Sequence, residues 1–282
     1  MTISELIWLL PATAAVSYLG GCAYLYSQQR RMIFAPVQTL SATPESYSLS
    51  YEEVWIPIAS GANSVLYGWW IPAETPRGVI LFLHGNASSV GDNVERAARF
   101  NRLGFTALMV DYRGYGLSKG LYPSEPQVYE DADAIWQYLT DQRGVDPSAI
   151  MIYGHSLGGA IAIELAARHP ESGCLVVESS FTSIQDMAAR NPFLGIFPIQ
   201  RLLSQKFCSL EKVSSLKMPK IFIHGERDNI VPSTMSRRLY QEAAEPKALM
   251  VDASAGHENF AEVVGNTYDK ALLSLAKYLS VK

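Results

Sequence analysis

Short apolar runs separated by turn residues dominate the chain after about residue 50. Two β-rich runs, Val54 to Ile58 and Val65 to Ile71, lie on either side of the turn residues 60–63, and this arrangement predicts a hairpin. Further strands are predicted at Val79 to Leu83, Thr106 to Val110, Ile150 to Tyr153, Leu175 to Val177, Lys220 to Ile223 and Ala248 to Val251. Continuous apolar runs of this length are typical of strands that are buried on both faces.

Helical stretches alternate with these strands. They are predicted near Asp92 to Leu103, Pro126 to Thr140, Leu157 to Arg168, Ser233 to Ala243 and Glu262 to Leu279. Helices between consecutive strands imply parallel pairing with right-handed crossovers. The pattern therefore predicts an α/β fold, in which a mainly parallel central sheet is flanked by helices.

One stretch, at about residues 181–218, breaks this alternation. It contains the apolar segment Asn191 to Ile199 and is too long for an ordinary connection between elements. We expect it to be a lid inserted over the functional site. A single extra helix packed on the sheet edge is the alternative that the sequence leaves open.

The N-terminal segment from Leu6 to Tyr26 contains no charged residue. At about 1.5 Å per residue, a helix of this length spans the roughly 30 Å hydrocarbon core of a bilayer. The segment predicts an N-terminal transmembrane helix, with a membrane anchor at residues 1–30 and one catalytic domain at residues 31–282. The alternatives are a buried core helix, a cleaved signal peptide, and a bacterial lipoprotein signal with Cys22 as the lipidated residue.

Two basic residues, Arg30 and Arg31, directly follow the apolar segment. In membrane proteins, basic residues close to a span are more frequent on the cytoplasmic side. This tendency predicts a single-pass membrane protein whose catalytic domain lies on the cytoplasmic side.

Composition excludes several classes of protein. Hydrophobic residues make up 48% of the chain and charged residues 18%, which excludes a disordered protein. The net charge is -4, so the chain lacks the excess of basic residues that is typical of nucleic-acid-binding proteins. The three cysteines are scattered and the five histidines lie singly on separate segments, so we expect no disulfide framework, no metal and no cofactor.

The segment Gly154-His155-Ser156-Leu157-Gly158 has the GxSxG pattern of a nucleophile elbow. It lies between the predicted strand that ends at Tyr153 and the predicted helix that begins at Leu157, where the motif requires it. Such a tight turn exposes the serine oxygen above the sheet, and the glycines remove Cβ atoms that would clash. The pattern predicts Ser156 as a catalytic nucleophile.

A serine nucleophile needs a base, and the base needs a carboxylate that fixes its tautomer. In this type of fold the chain order is serine, acid, histidine. Asp228 and His257 follow Ser156 in that order, each in a loop after a predicted strand, at the carboxyl edge of the sheet. Glu226 and Glu178 are the alternative acids.

The segment Leu83-His84-Gly85-Asn86-Ala87 begins at the last residue of the predicted strand Val79 to Leu83. In this type of fold, the loop after that strand contributes to the oxyanion hole. We expect the backbone N–H groups of Asn86 and Leu157 to form an oxyanion hole. Ala87 in place of Asn86, and a plain turn without this role, remain alternatives.

Taken in order, the motifs HGNAS, DYRGYGLS, GHSLGG and HGERDNIVP, with Gly256-His257 near the end, resemble the α/β-hydrolase superfamily from about residue 50 onward. The apolar N-terminus followed by QQRRMIFAP resembles its membrane-anchored, budding-emergence-type branch. That branch includes lysophospholipases and depalmitoylating thioesterases. The resemblance implies Ser156, Asp228 and His257 as the triad and Asn86 and Leu157 as the oxyanion hole.

These features favour hydrolysis of carboxylic esters or thioesters through an acyl-enzyme, on lipid-like or acylated substrates at a membrane. A serine peptidase or amidase would use the same triad and is the first alternative. A noncatalytic binding protein that keeps the fold is the second. Epoxide hydrolases and dehalogenases of this fold carry aspartate at the elbow, so Ser156 argues against both.

Overall fold

The computed structural model describes residues 3–60 and 64–280, apart from the side chains of residues 3–10. Within these residues the strands are β1 (Glu52–Pro57), β2 (Val65–Ile71), β3 (Val79–Leu83), β4 (Thr106–Val110), β5 (Ile150–His155), β6 (Cys174–Glu178), β7 (Lys220–Gly225) and β8 (Lys247–Asp252). They form one sheet in the order β1-β2-β4-β3-β5-β6-β7-β8.

The sheet is mainly parallel, as the sequence predicts. Only β1 with β2 and β2 with β4 pair in antiparallel fashion, and all other neighbours in the described sheet are parallel. The predicted hairpin is therefore present as β1 and β2. Residues 61–63 of its predicted turn lie outside the described residues.

The helices of the described chain are mostly short. They are α1 (Ile3–Ile33), α2 (Val94–Arg102), α3 (Glu125–Gln137), α4 (Leu157–Arg168), α5 (Ile184–Ala188), α6 (Ile199–Leu202), α7 (Ser209–Lys212), α8 (Ser233–Glu242), α9 (Phe260–Val264) and α10 (Asn266–Leu275). Short 3-10 and π segments extend or connect several of them.

Alternate residues of the central strands pack into two cores on opposite faces of the sheet. In β3, Leu81 and Leu83 belong to the core that includes residues of α3, α4 and α8. Their neighbours Ile80 and Phe82 belong to the core that includes residues of α2 and α10. Because side chains alternate along a strand, apolar residues at every position require helices on both faces.

The predicted C-terminal helix from Glu262 to Leu279 is two helices, α9 and α10. Gly265, between them, adopts a positive φ of 57°, which a right-handed helix does not accommodate. Glycine takes this conformation at little steric cost, so the chain changes direction there.

The predicted insertion, residues 181–218, connects β6 to β7 through the short helices α5, α6 and α7 and two 3-10 turns. The alternative of one extra helix does not describe it. Two large apolar side chains of this segment are strongly exposed, Phe193 at 76% and Ile196 at 64%.

The predicted membrane span falls on α1, a helix of 31 residues with Pro11 inside it. Residues 6–10 of that span belong to the part of α1 whose side chains are not described. Over the described residues, no helix has both the length and the apolar character needed to cross a membrane.

Candidate active site

Ser156 lies in a tight turn between β5 and α4. Its backbone has φ 54° and ψ −117°, an unusual conformation for a residue with a side chain. A Cβ at Gly154 would lie 2.2 Å from the carbonyl oxygen of Gly158, and one at Gly158 would lie 2.0 Å from that of Leu83. Both positions of the GxSxG pattern therefore require glycine because backbone passes directly against them.

Three side chains from separate loops meet at this turn. His257 Nε2 lies 3.0 Å from Ser156 Oγ. His257 Nδ1 lies 2.6 Å from Asp228 Oδ2. The distances are those of a serine, histidine and carboxylate relay, with the histidine between the other two groups.

The carboxylate of Asp228 is held by several donors. Its Oδ1 accepts the backbone N–H groups of Ile230 at 2.9 Å and Val231 at 2.8 Å. His224 Nε2 lies 3.1 Å from Oδ2. Burial alone would raise the pKa of Asp228, but hydrogen bonds from His224 and His257 outweigh it and hold the pKa well below its ordinary value. Asp228 is therefore ionised beside His257.

The two alternative acids have other partners. Glu226 pairs with Arg237, and both side chains are more than 40% exposed. Glu178 is fully buried and makes an ion pair with Arg96 at 3.0 Å. Asp228 is thus the carboxylate that contacts the Nδ1 atom of His257.

A buried polar cluster behind the triad fixes the loop that carries His257. Burial and the nearby Arg96 lower the pKa of His155. Its Nε2 lies 3.0 Å from the carbonyl oxygen of His257. Arg96 donates to the carbonyl oxygen of Glu258 at 3.2 Å. Sequence reasoning missed this cluster because its members come from α2, β5, β6 and the last loop.

Asn86 and Leu157 border the same cleft as Ser156. Leu157 is the first residue of α4, where a backbone N–H has no partner inside the helix. The side-chain oxygen of Asn86 accepts hydrogen bonds from the backbone N–H of Ala35 and the hydroxyl of Tyr115, each at 2.8 Å. The loop after β3 is therefore tied to two other segments.

An apolar cleft of about 390 Å³ opens beside Ser156. Its walls come from α1, from the insertion and from the loop after β7. They include Leu25, Ile33, Ile184, Leu194, Leu202 and Val231. A cleft of this size is in the range of small-molecule sites.

A second cleft, of about 350 Å³, shares Asn86 with the first but is polar. It is lined by Arg96, Arg99, Glu258 and Glu262, among others. Asn86 therefore borders both clefts.

One cluster within the described chain has the donors for a metal ion. His155, His257 and Glu258 place ligand atoms within 4.8 Å of one another. The spacing of the histidines in the sequence does not indicate that the end of β5 and the loop after β8 meet here. His257 is bonded to Ser156 and Asp228, however, and His155 Nε2 is bonded to a carbonyl, so both ring systems already have partners.

Comparison with known proteins shows that the chain is similar to α/β-hydrolases. The chain matches the family model described as serine aminopeptidase, S33, over residues 74–211. An uncharacterised protein of Mycobacterium tuberculosis is 36% identical over 256 residues, which cover 89% of this chain and 88% of that protein. Protein bem46 of Schizosaccharomyces pombe is 29% identical, over 78% of this chain and 76% of its own length.

Two further similarities are informative. The lysophosphatidylserine lipase ABHD12 of Danio rerio is 34% identical over 188 residues, which cover 61% of this chain and 48% of the lipase. Among solved structures, an esterase of Pyrococcus furiosus superposes with a TM-score of 0.73 at 23% identity, covering 88% of this chain and 98% of the esterase. This last similarity shows a common fold.

Proposed function

Because the chain belongs to the bem46 branch of the α/β-hydrolases, a family of hydrolases, we propose that it is a serine hydrolase that cleaves carboxylic esters or thioesters with a lipid-like acyl chain. The observation that carries this proposal is the contact of Ser156 with His257 and of His257 with Asp228 at the end of an apolar cleft.

In the proposed mechanism, Ser156 Oγ attacks the carbonyl carbon while His257 Nε2 accepts its proton. The tetrahedral intermediate collapses when the bond to the alkoxy or thio group breaks, and His257 returns the proton to the departing oxygen or sulfur. Water then attacks the acyl-enzyme by the same route, which releases the carboxylic acid and restores Ser156. Asp228 stays ionised and stabilises the imidazolium that forms in each step.

The backbone N–H groups of Asn86 and Leu157 bind the oxyanion of the intermediate. Each such donor contributes about 2.7–4 kcal/mol to catalysis in hydrolases of this kind. The N-terminal position of Leu157 in α4 supports this role, since its N–H has no helical partner.

The two clefts support the proposed kind of substrate. An acyl chain fits the apolar cleft, where each buried methylene adds about 0.8 kcal/mol of binding, and a polar leaving group fits the cleft of Arg96 and Glu258. Residues 1–30 act as the membrane anchor in this proposal, so that the catalytic domain, residues 31–282, meets lipid-like substrates at the cytoplasmic face. The insertion serves as the lid.

Amide hydrolysis is the second candidate, because the matching family model is described as a serine aminopeptidase. The same triad would act on both bonds. The apolar cleft favours an acyl ester, since a peptide substrate would need polar partners for its backbone groups.

The test compares p-nitrophenyl esters, acyl thioesters and peptide amides on the full-length protein. We expect the wild type to hydrolyse esters or thioesters but not amides. Ser156→Ala should abolish this hydrolysis, and a fluorophosphonate probe should label the wild type but not the variant. Preferred cleavage of peptide amides would favour the second candidate. No labelling and no turnover would contradict both and point to a noncatalytic protein.

A further inference from the structure

The N-terminal helix α1 contributes directly to the cleft beside Ser156. Four of its residues border that cleft: Leu25, Gln29, Met32 and Ile33. They recur at three- and four-residue intervals, which places them on one face of the helix. A helix that served only as a tether would not need to present a face to the active site.

Gln29 fastens α1 to the insertion. Its side chain is 5% exposed and donates to the carbonyl oxygen of Leu202 at 3.2 Å. Its oxygen accepts the backbone N–H groups of Ser204 at 2.7 Å and Gln205 at 3.2 Å. One buried side chain thus satisfies three backbone groups of a neighbouring segment, so α1 and the insertion form a continuous wall.

The end of α1 is also joined to the proposed oxyanion loop. Phe34, just after the helix, is fully buried and packs near Phe207 with ring centroids 6.1 Å apart. The next residue, Ala35, donates its N–H to the side chain of Asn86. The position of α1 is therefore fixed relative to the reacting carbonyl of a substrate.

Farther from Ser156, α1 continues along the insertion. Tyr18 stacks on Phe197 with ring centroids 5.5 Å apart. The surroundings are exposed and apolar, with Leu19 at 65% and Ile196 at 64%. These residues do not border the cleft, and among the described side chains Leu25 is the residue nearest the start of α1 that does so.

Building on the proposed function, we propose that residues 25–33 of α1 form the wall of the acyl-binding cleft that sets the accepted chain length. These residues span roughly 12 Å along the helix. An extended chain with C–C bonds of about 1.5 Å advances about 1.3 Å per bond, so roughly ten carbons lie against this wall. The substrate class is therefore an ester or thioester of a medium or long unbranched acid, and Leu25 contacts the outer part of its chain.

Leu25→Trp tests the proposal, because a larger side chain narrows the outer part of the cleft and leaves the part near Ser156 unchanged. Leu19→Trp is the matched control, since it makes the same change on the same helix at an exposed position that does not border the cleft. Both variants and the wild type are assayed as full-length proteins in one detergent, with p-nitrophenyl esters of increasing chain length from butyryl to palmitoyl.

Each methylene contributes about fourfold to binding, so exclusion of two or three methylenes lowers kcat/KM by at least about tenfold. We expect Leu25→Trp to lose this factor in the ratio of kcat/KM for chains longer than about ten carbons to kcat/KM for the butyryl ester, and to shift the optimum to shorter chains. Leu19→Trp should keep the wild-type profile. Leu25→Ala should lower the same ratio of long-chain to butyryl kcat/KM, since it removes contacts with the outer part of the chain and does not narrow the cleft.

The proposal is overturned if Leu25→Trp and Leu19→Trp have the same profile, or if Leu25→Trp loses activity equally at every chain length. Either result means that the wall does not contact the chain. A wild type that hydrolyses neither esters nor the corresponding acyl thioesters of any length contradicts the proposed function instead, so the two failures are distinguishable.

Discussion

Replacing Ser156 by glycine should make the protein more stable while it abolishes activity. The backbone of Ser156, at φ 54° and ψ −117°, has the conformation of the first central residue of a type II′ turn, where glycine is favoured. A residue with a Cβ is strained there by about 1–3 kcal/mol. Glycine removes the strain but costs about 0.5–1 kcal/mol of chain entropy. With a strain of about 2 kcal/mol, the middle of that range, the free energy of unfolding should therefore rise by about 1–1.5 kcal/mol.

The control is Ser156→Ala, which loses the same hydroxyl but keeps the Cβ. Thermal unfolding of both variants at one scan rate should give a Tm for Ser156→Gly that is higher by roughly 2–6 °C, at about 2–4 °C per kcal/mol for a chain of this size. Neither variant should react with a fluorophosphonate. An equal Tm for the two variants would refute the reasoning, because it would mean that the elbow stores no strain at this residue.

Three further predictions concern the same site. Asp228→Asn should lower kcat by about 10⁴-fold, whereas Glu226→Gln should keep wild-type activity; the opposite result in ester assays would identify Glu226 as the acid. Because the folded pKa of Asp228 lies below its unfolded value, its stabilising contribution is present above about pH 4 and lost as pH falls through the folded pKa. Urea unfolding should thus show the gap between wild type and Asp228→Asn shrinking from about pH 6 to about pH 3, and a constant gap would contradict the shift. Gly158→Ala, whose Cβ would lie 2.0 Å from a backbone oxygen of β3, should lose both stability and activity, whereas Gly195→Ala, with nothing within 4 Å, should lose neither; equal Tm values for the two would be the contrary result.

Much of the fold could be predicted because a buried parallel strand is a short continuous apolar run, which is recognisable from consecutive residues alone. The strands β3 and β4 and the helix α4 begin and end at the predicted residues. The elbow at Ser156 could be predicted for the same reason, since its glycines, its strand and its helix are consecutive in the chain. The break at Gly265 could not, because a glycine inside a helical pattern does not reveal whether its φ is positive.

The pattern of apolar and polar residues does not predict contacts between segments that are distant in the sequence. Arg96, Glu178 and His155 are far apart in sequence, and nothing local indicates that they meet behind His257. Arg30 illustrates the same limit: its position after an apolar segment suggested membrane topology, yet its Nε donates to the carbonyl oxygen of Pro123 at 2.9 Å. Nothing in the sequence near Gln29, one residue earlier, indicates that its hydrogen-bond partners lie in the insertion.

The way α1 joins the domain has a practical consequence for anyone who prepares the protein. Hydrophobic N-termini are commonly deleted to obtain material that is easy to purify, and a deletion through residue 30 would follow the boundary that composition suggests. That deletion removes Leu25 and Gln29, two of the four residues of α1 that border the cleft, and with Gln29 it removes the hydrogen bond to Leu202. A protein shortened in this way would lack part of one wall of its cleft. Its measured substrate preference would then reflect the deletion and not the full-length protein. Shortened versions should therefore keep Tyr18, which stacks on Phe197 of the insertion.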